Sequence, residues 1–432
     1  MKVAVIGAGW AGCAGAVEAT RLGHKVTLFE ATRTAGGRAR RVEVTLDHQS
    51  QTLDNGQHIL IGAYSETLKL MAELGLDASA VFLRVPLSMQ FPDGNGLKLA
   101  RLPTPLDALV GICTARGWNW RDKLSLLKVS IGWRMAKFQC APQQSVADLC
   151  SHVSPRIMTT LIEPLCVSAL NTPVDRASGQ VFLTVMRDAL FSGSGGSNLL
   201  LPRVDLSALL PDAALAWLEK NGAVVKLGNR VQHIGPSDAS GASWVLEGVA
   251  SDATTNLGVF DRVVIACQPT EAARLAEHCR LPCEPWLARA SELRHEAITT
   301  VYAMGQGARL SQPMLALRSS ADHPAQFVFD RGQLGGPAGL LAFVVSASVG
   351  DKASITAQVL QQAATQLGLN DLQPIQAIVE KRATFACTPG LQRPGMKVAP
   401  GLLACGDYID GPYPATLEGA VRSGLAAARQ LE

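Results

Sequence analysis

Residues 2–30 read KVAVIGAGWAGCAGAVEATRLGHKVTLFE, and the order of residue types in them decides the architecture. A short apolar run, Lys2–Ile6, stops at glycine. Small and apolar residues at helical spacing follow from about Ala11 to Leu22, and a second apolar run closes the stretch at residues 25–29. This is a strand–helix–strand unit with Gly7, Gly9 and Gly12 at its first turn. In such a turn the first glycine permits the bend and the second lets a pyrophosphate approach the backbone. The third lets helix and strand pack closely. The helix start offers unpaired N–H groups and the positive end of its dipole to phosphate. Glu30 ends the second strand, where a carboxylate accepts the ribose hydroxyls of an adenine dinucleotide and disfavours a 2′-phosphate.

Working outward, Gly36-Gly37-Arg38 suits a second backbone approach to the same cofactor, with a fixed guanidinium. The end of the chain repeats the logic. ACGDYIDGPYPATLEGAVRSG, residues 404–424, reads as strand, Gly406-Asp407, loop and a small-residue helix start. Between lie a helix pattern at 65–76, mainly helical signals from Pro103 to about Leu190, and linker chemistry at 192–198. A second α/β stretch contains a helix at 207–221 and strand-like runs at 223–234, 243–249 and 260–267. Further strands are expected at 298–304 and 326–347, a helix at 353–368, a strand at 402–405 and a last helix at about 416–430.

Composition bounds the function. The 432 residues suit two or three domains, and 47% hydrophobic with 17% charged residues excludes a disordered chain. A net charge of +3 gives no reason to expect a nucleic-acid partner. The ten cysteines form no CxxC pair and no zinc spacing, so they read as small buried hydrophobes of a reducing compartment, and no metal is expected. The strand at residue 2 leaves no room for a signal peptide, and no apolar run of about 18 residues appears. The expectation is a cytoplasmic protein, peripherally attached to the inner face of the cytoplasmic membrane.

The Glu30-then-GGR order resembles flavoproteins of the amine oxidase and phytoene desaturase superfamily. So do the Gly406-Asp407 tail and Asn229-Arg230-Val231. Within it, DNGQHILIGAY (54–64), LNTP (170–173), LLLPRVDLSALLPD (199–212) and PATLEGAVRSG (414–424) resemble the squalene-associated FAD-dependent desaturase family. That resemblance implies an α/β fold with a three-segment Rossmann-type FAD domain and an interleaved α+β substrate domain. The FAD segments would be 1–64, 196–269 and 391–432, and the substrate segments 65–195 and 270–390. It implies FAD held at Gly7, Gly9, Trp10, Ala11, Gly12, Glu30, Gly36, Gly37, Arg38, Gly56, Val231, Gly406, Asp407, Ala415, Thr416, Glu418, Gly419 and Ala420.

The activity it implies is reductive removal of the allylic hydroxyl of hydroxysqualene to give squalene. An isoprenoid desaturase and a non-catalytic FAD-containing lipid-binding protein are the rivals. The partners it implies are a long-chain isoprenoid, upstream prenyl synthases and an external electron donor, since 192–196 and 335–339 lack the strand and helix of a second dinucleotide turn. Departing hydroxide needs a proton, and His58, with Gln57 to orient, is the candidate acid on the strength of an ordinary pKa near 6.5. Tyr408, Tyr413, Asp410, Arg203 and Asp205 are lesser candidates, Asp205 rather as a helix N-cap. The 5% aromatic content, with no paired-aromatic cage legible, argues against amine oxidation.

One segment stands outside this scheme. RGWNWRDKLSLLKVSIGWRMAKF, residues 116–138, carries six basic residues against Asp122. Leu124, Leu127, Ile131, Met135 and Phe138 recur at 3 or 4, with Trp118, Trp120 and Trp133 alongside. The pattern is that of a basic interfacial helix with aromatic anchors, or of an amphipathic helix lining a pocket.

Overall fold

The structure is a computed structural model and describes residues 1–46, 49–191, 193, 195–237, 243–250 and 253–431. Strands from the start, middle and end of the chain form one six-stranded sheet. Its order is Val224–Leu227, Lys25–Glu30, Lys2–Ile6, Arg262–Ile265, Leu402–Ala404, Lys397–Ala399. The first five are parallel and the last runs antiparallel on the edge. Val3, Ala4 and Val5 have no exposed surface, as expected of a central parallel strand covered on both faces.

Helix Trp10–Arg21 packs on helix Leu417–Arg429, and sequence explains how close they come. Ala11, Ala14 and Gly15 face Ala420, Gly424 and Ala428, so the two backbones meet with little side chain between them. A β-carbon on Gly424 would run into the Ala11 carbonyl oxygen. The first and last segments are thereby locked together beside the sheet.

A second, antiparallel sheet has the order Met314–Ala316, Phe327–Asp330, Leu340–Ser346, His295–Met304, Gln373–Phe385. Alternation divides it. Val301, Leu341, Phe343 and Val345 pack under helix Lys352–Leu367, while Ile298, Phe327, Phe329 and Val344 turn to the opposite face and line a cavity. Helices Leu106–Thr114, Trp120–Met135, Glu163–Leu170 and Gly179–Phe191 close that cavity from the other side.

Several expected elements are divided by identifiable residues. The run 223–234 becomes two strands in different sheets, because Gly228 at φ +71° turns the chain between them. The helix at 207–221 splits into Leu206–Leu209 and Pro211–Lys220 at the proline, which has no N–H to donate backwards. The run 326–347 is interrupted by a 3₁₀ turn at Arg331–Leu334. The linker at 192–198 has Ser192 and Ser194 outside the described residues.

The basic segment also differs from expectation. Only Trp120 of its three tryptophans stands out, 70% exposed. Trp118 is buried and donates its indole N–H to Thr160, and Trp133 is buried edge-on against Phe182, as an indole with a partner can be. Phe138 is buried as well. Among the described residues no helix is long and apolar enough to cross a membrane.

Candidate functional site

The three segments of the six-stranded sheet converge on one end of a cavity of about 870 Å³. Gly7 takes φ +110°, and a β-carbon there would press on the Ala266 carbonyl at 2.7 Å. A β-carbon on Gly12 would lie inside the Gly7 carbonyl, so this glycine brings helix to strand and does not itself line the cavity. Around Gly9, by contrast, the space is open, and no side chain caps the helix start that follows. Beside that space Glu30 accepts the Ala8 N–H and the Thr32 N–H and hydroxyl, each at 2.8 Å. A carboxylate so fixed keeps acceptor capacity for hydroxyls entering the cavity.

The second glycine pair lies against the first loop, with Gly36 donating to the Ala8 carbonyl at 2.8 Å. Arg38 then reaches the last segment, donating to Asp407 Oδ1 at 2.6 Å and to the Ala383 carbonyl at 2.5 Å. Burial alone would lower its pKa, but the Asp407 carboxylate more than offsets this and the guanidinium is held charged. The tail bends back at Ala415, whose φ of +58° lies in the left-handed region and whose N–H bonds the Asp407 carbonyl at 3.0 Å. Such a non-glycine conformation costs about 1–3 kcal/mol and persists where surroundings over-determine it. Its effect is to aim the start of helix Leu417–Arg429 at the cavity, through Ala415, Thr416, Leu417 and Ala420. Two helix N-termini thus face one space.

Glu418 and Gly419 are elsewhere. The Glu418 carboxylate is fully buried and accepts Thr67 N–H, Thr67 hydroxyl and Arg422, tying the 65–73 helix to the last one. Gly419 donates to the Thr416 hydroxyl as part of the helix cap. Val231 lines the cavity with Asn229 and Arg230.

Gly56, Gln57 and His58 line the cavity on a loop that is braced by its neighbours. Asp54 accepts the Leu206 N–H at 2.8 Å, and its own carbonyl accepts the Tyr302 hydroxyl at 2.9 Å. Arg331 stands 3.7 Å from the Asp54 carboxylate and donates to Gln57 Oε1 at 3.3 Å. Burial raises the Asp54 carboxyl to about 6, against the pull of Arg331 and the Leu206 N–H. Burial and the nearby Arg38 cation push His58 down to about 4. At neutral pH His58 is therefore a neutral imidazole with one N–H to donate. The ordinary value that favoured it as an acid does not apply.

Beyond the loop the cavity becomes apolar, walled by Leu126, Trp133, Leu161, Met186, Phe327 and Phe329. Polar groups in the lining include Tyr64, Tyr413, Asp188 and Glu380. Tyr64 and Tyr413 meet edge to face with centroids 6.5 Å apart, a pairing that their separation in sequence hid. Burial, followed by the bond to Asp188, pushes the Tyr413 phenol up to about 12. Glu380 and Arg382 come from strand Gln373–Phe385, which weak alternation concealed, and Glu380 accepts from Asn55 at 3.3 Å.

Of the lesser candidates only Tyr413 reaches the cavity. Tyr408 is buried outside it, its hydroxyl without a partner among the described residues. Asp410 is exposed and pairs with Arg393, and Arg203 is exposed. Asp205 caps helix Leu206–Leu209 by accepting from Ser207 and Ala208.

The family model for flavin-containing amine oxidoreductases matches residues 10–431. The chain belongs to that family. As a flavin-dependent oxidoreductase it has the fold of cyclohexylamine oxidase from Brevibacterium oxydans, with a TM-score of 0.70 at 15% identity over 100% of this chain and 98% of that one. Among curated proteins it is 29% identical to hydroxysqualene dehydroxylase of Rhodopseudomonas palustris, over 99% of this chain and 97% of the relative. The same-named protein of Sinorhizobium fredii is 25% identical, again over 99% and 97%. One cavity thus joins a cradle built from three segments of the chain to an apolar chamber.

Proposed function

We propose that the protein is an FAD-dependent hydroxysqualene dehydroxylase, which removes an allylic hydroxyl and leaves hydrogen in its place. The observation that carries this reading is the continuity of one cavity from the Glu30 cradle, past Gln57 and His58, into the apolar chamber. The open space at Gly9 and the two helix starts fit a dinucleotide pyrophosphate, and Glu30 fits its adenosine ribose. Gly36, Gly37, Arg38, Val231, Gly406, Asp407, Ala415, Thr416 and Ala420 would hold the remainder. When bound and reduced, FAD supplies hydride to carbon.

The chain's own residues have three tasks. The walls exclude water, so that a carbon made electron-poor as hydroxide departs meets no competing nucleophile. A polar hydrogen must reach the departing oxygen, which leaves as water once a proton joins it. The Tyr413 phenol can give up that proton, leaving a phenolate, while the neutral imidazole N–H of His58 and the amide of Gln57, held by Arg331, hydrogen-bond the departing oxygen. The walls also orient a long chain so that one carbon lies beside the loop.

The electrons come from an external donor. In support, residues 335–339 lead into strand Leu340–Ser346 rather than into a helix, as a second dinucleotide turn would. A long-chain isoprenoid is scarcely soluble in water, and the protein collects it at a membrane surface.

The test is anaerobic mixing of pre-reduced holoenzyme with hydroxysqualene, following flavin reoxidation and squalene together. Stoichiometric appearance of both is the expected result. Flavin that reoxidises only with an electron acceptor while a saturated isoprenoid gains double bonds would assign desaturation instead.

A further inference from the structure

We propose that the outer faces of helices Leu106–Thr114 and Trp120–Met135 form a docking surface for an anionic lipid bilayer. The occupant rests on the reading of the cavity as one for a long-chain isoprenoid; the surface itself is read from its own residues. Twelve large apolar side chains stand exposed among the described residues, and seven of them fall between Leu102 and Met135. Leu102, Leu106 and Leu109 belong to the first helix and its approach.

On the second helix Trp120, Leu124, Ile131 and Met135 are 70%, 53%, 59% and 80% exposed. Their spacings of 4, 7 and 4 place them on one stripe. Leu126 and Trp133, seven apart, lie on the inward side and line the cavity. The helix is apolar on two faces, and its inner partner is known.

Charge decides what covers the outer stripe. Between residues 101 and 139 the acids are Asp107 and Asp122, each 5% exposed and engaged at a helix start. Arg101, Arg116, Arg121, Lys128, Arg134 and Lys137 are all exposed. Lys123 and Arg134 lie to one side of the stripe and Arg121 and Lys128 to the other, so apolar side chains are bordered by cations on both flanks. A second copy docked through the same face would set these cations against its own, and the mixed charge of an ordinary protein surface would leave many of them unmatched. An anionic headgroup layer over hydrocarbon matches both features at once, with Trp120 at the boundary between them. Ala108, Ile112, Leu126 and Trp133 put the cavity wall directly behind this surface.

Flotation of the flavin-loaded holoenzyme with vesicles tests the proposal. One set is phosphatidylcholine alone and the other contains phosphatidylglycerol at about one third, a charge density that attracts basic segments. The wild type is expected to partition onto the anionic set at least about tenfold more strongly, with the difference shrinking as salt is raised. Two variants are compared: Trp120→Ser/Leu124→Ser/Ile131→Ser/Met135→Ser, and Arg121→Glu/Lys128→Glu/Arg134→Glu/Lys137→Glu. Each should lose about tenfold or more in partitioning while keeping its flavin absorbance, since none of these side chains lines the cavity.

Equal flotation of wild type and both variants, or none by wild type, overturns the proposal. So does a wild-type dimer that the apolar variant dissociates. If one variant loses its flavin, the other variant and the salt series decide. Detergent-dispersed hydroxysqualene separates the two readings. Its turnover without vesicle binding sinks only the docking surface, and vesicle binding without its turnover sinks only the reaction.

Discussion

Arg38 and Asp407 stand 369 positions apart in the chain and 2.6 Å apart in space, where they pin the first segment of the cavity's cradle to the last. The pair is mostly enclosed, with side-chain exposures of 24% and 9%. Removing one partner leaves the other charge in poor solvent, which costs more than the pair contributes. Asp407→Asn should lower stability by about 1–3 kcal/mol, because the amide keeps a weak acceptor for Arg38. Denaturant unfolding of the flavin-free protein reads this directly. Unchanged midpoints would mean that Arg38 is satisfied by the Ala383 carbonyl alone.

Glu30 tests the cradle without touching that clamp. Its carboxylate is the acceptor placed beside the open space at Gly9. Glu30→Ala should weaken FAD binding by about 1–3 kcal/mol, the worth of charge-assisted hydrogen bonds to ribose hydroxyls. Titration of the flavin-free variant with FAD gives the number. Wild-type affinity would remove Glu30 from the cofactor site.

His58 carries a pH prediction whose sign follows from its environment. Burial first, then Arg38, lowers it from the usual 6.5 to about 4, so the fold favours the neutral imidazole. Its contribution to stability is complete above about 6.5 and is lost as pH falls toward 4, since the unfolded chain binds the proton first. The full span is roughly 3 kcal/mol. Melting curves of wild type and His58→Gln from pH 7.5 to 4.5 should converge as pH falls. In single-turnover flavin reoxidation the rate should show no inflection near 6.5. His58→Ala should be slower than His58→Gln, which can still donate a hydrogen bond. Equal rates for all three would remove His58 from the reaction and leave the Tyr413 phenol to act alone.

How much of this was legible follows from what each signal depends on. The cradle was readable because Gly7, Gly12 and Glu30 act through local backbone geometry fixed within thirty residues. The meeting of the three segments was readable only through resemblance, since nothing local to Arg38 points to Asp407. The chamber was less so. Tyr64 lies against Tyr413, and Asn55 against Glu380, through long-range packing that leaves no periodic trace. The basic segment around helix Trp120–Met135 was misread only at individual residues. Its two apolar faces blur any single amphipathic pattern, and Trp118 and Trp133 look like surface anchors until their burial is seen.

The loop that carries Gln57 and His58 rests on a carboxylate of the opposite disposition. Asp54 is 2% exposed, and its carboxyl is raised from 3.8 to about 6 chiefly by burial. A raised acid stabilises the fold below its unfolded pKa and loses that contribution as pH rises through the folded value. Asp54 therefore costs stability between about pH 4 and 6, on the order of 2–3 kcal/mol in full. Arg331 limits the cost, because its cation 3.7 Å away favours the charged form. Arg331→Met removes this compensation and also frees the Gln57 amide that Arg331 holds at 3.3 Å. The variant should be destabilised at pH 8 and much less so at pH 5, where Asp54 can take up a proton. Adding Asp54→Asn removes the charge while keeping an oxygen for the Leu206 N–H, and should restore most of the stability at pH 8. It should not restore single-turnover rate if Arg331 orients Gln57 for the reaction. Melting temperatures at the two pH values, set beside flavin reoxidation rates, separate these effects. An Arg331→Met variant equally destabilised at both pH values would show that Arg331 acts through packing and not through the Asp54 charge.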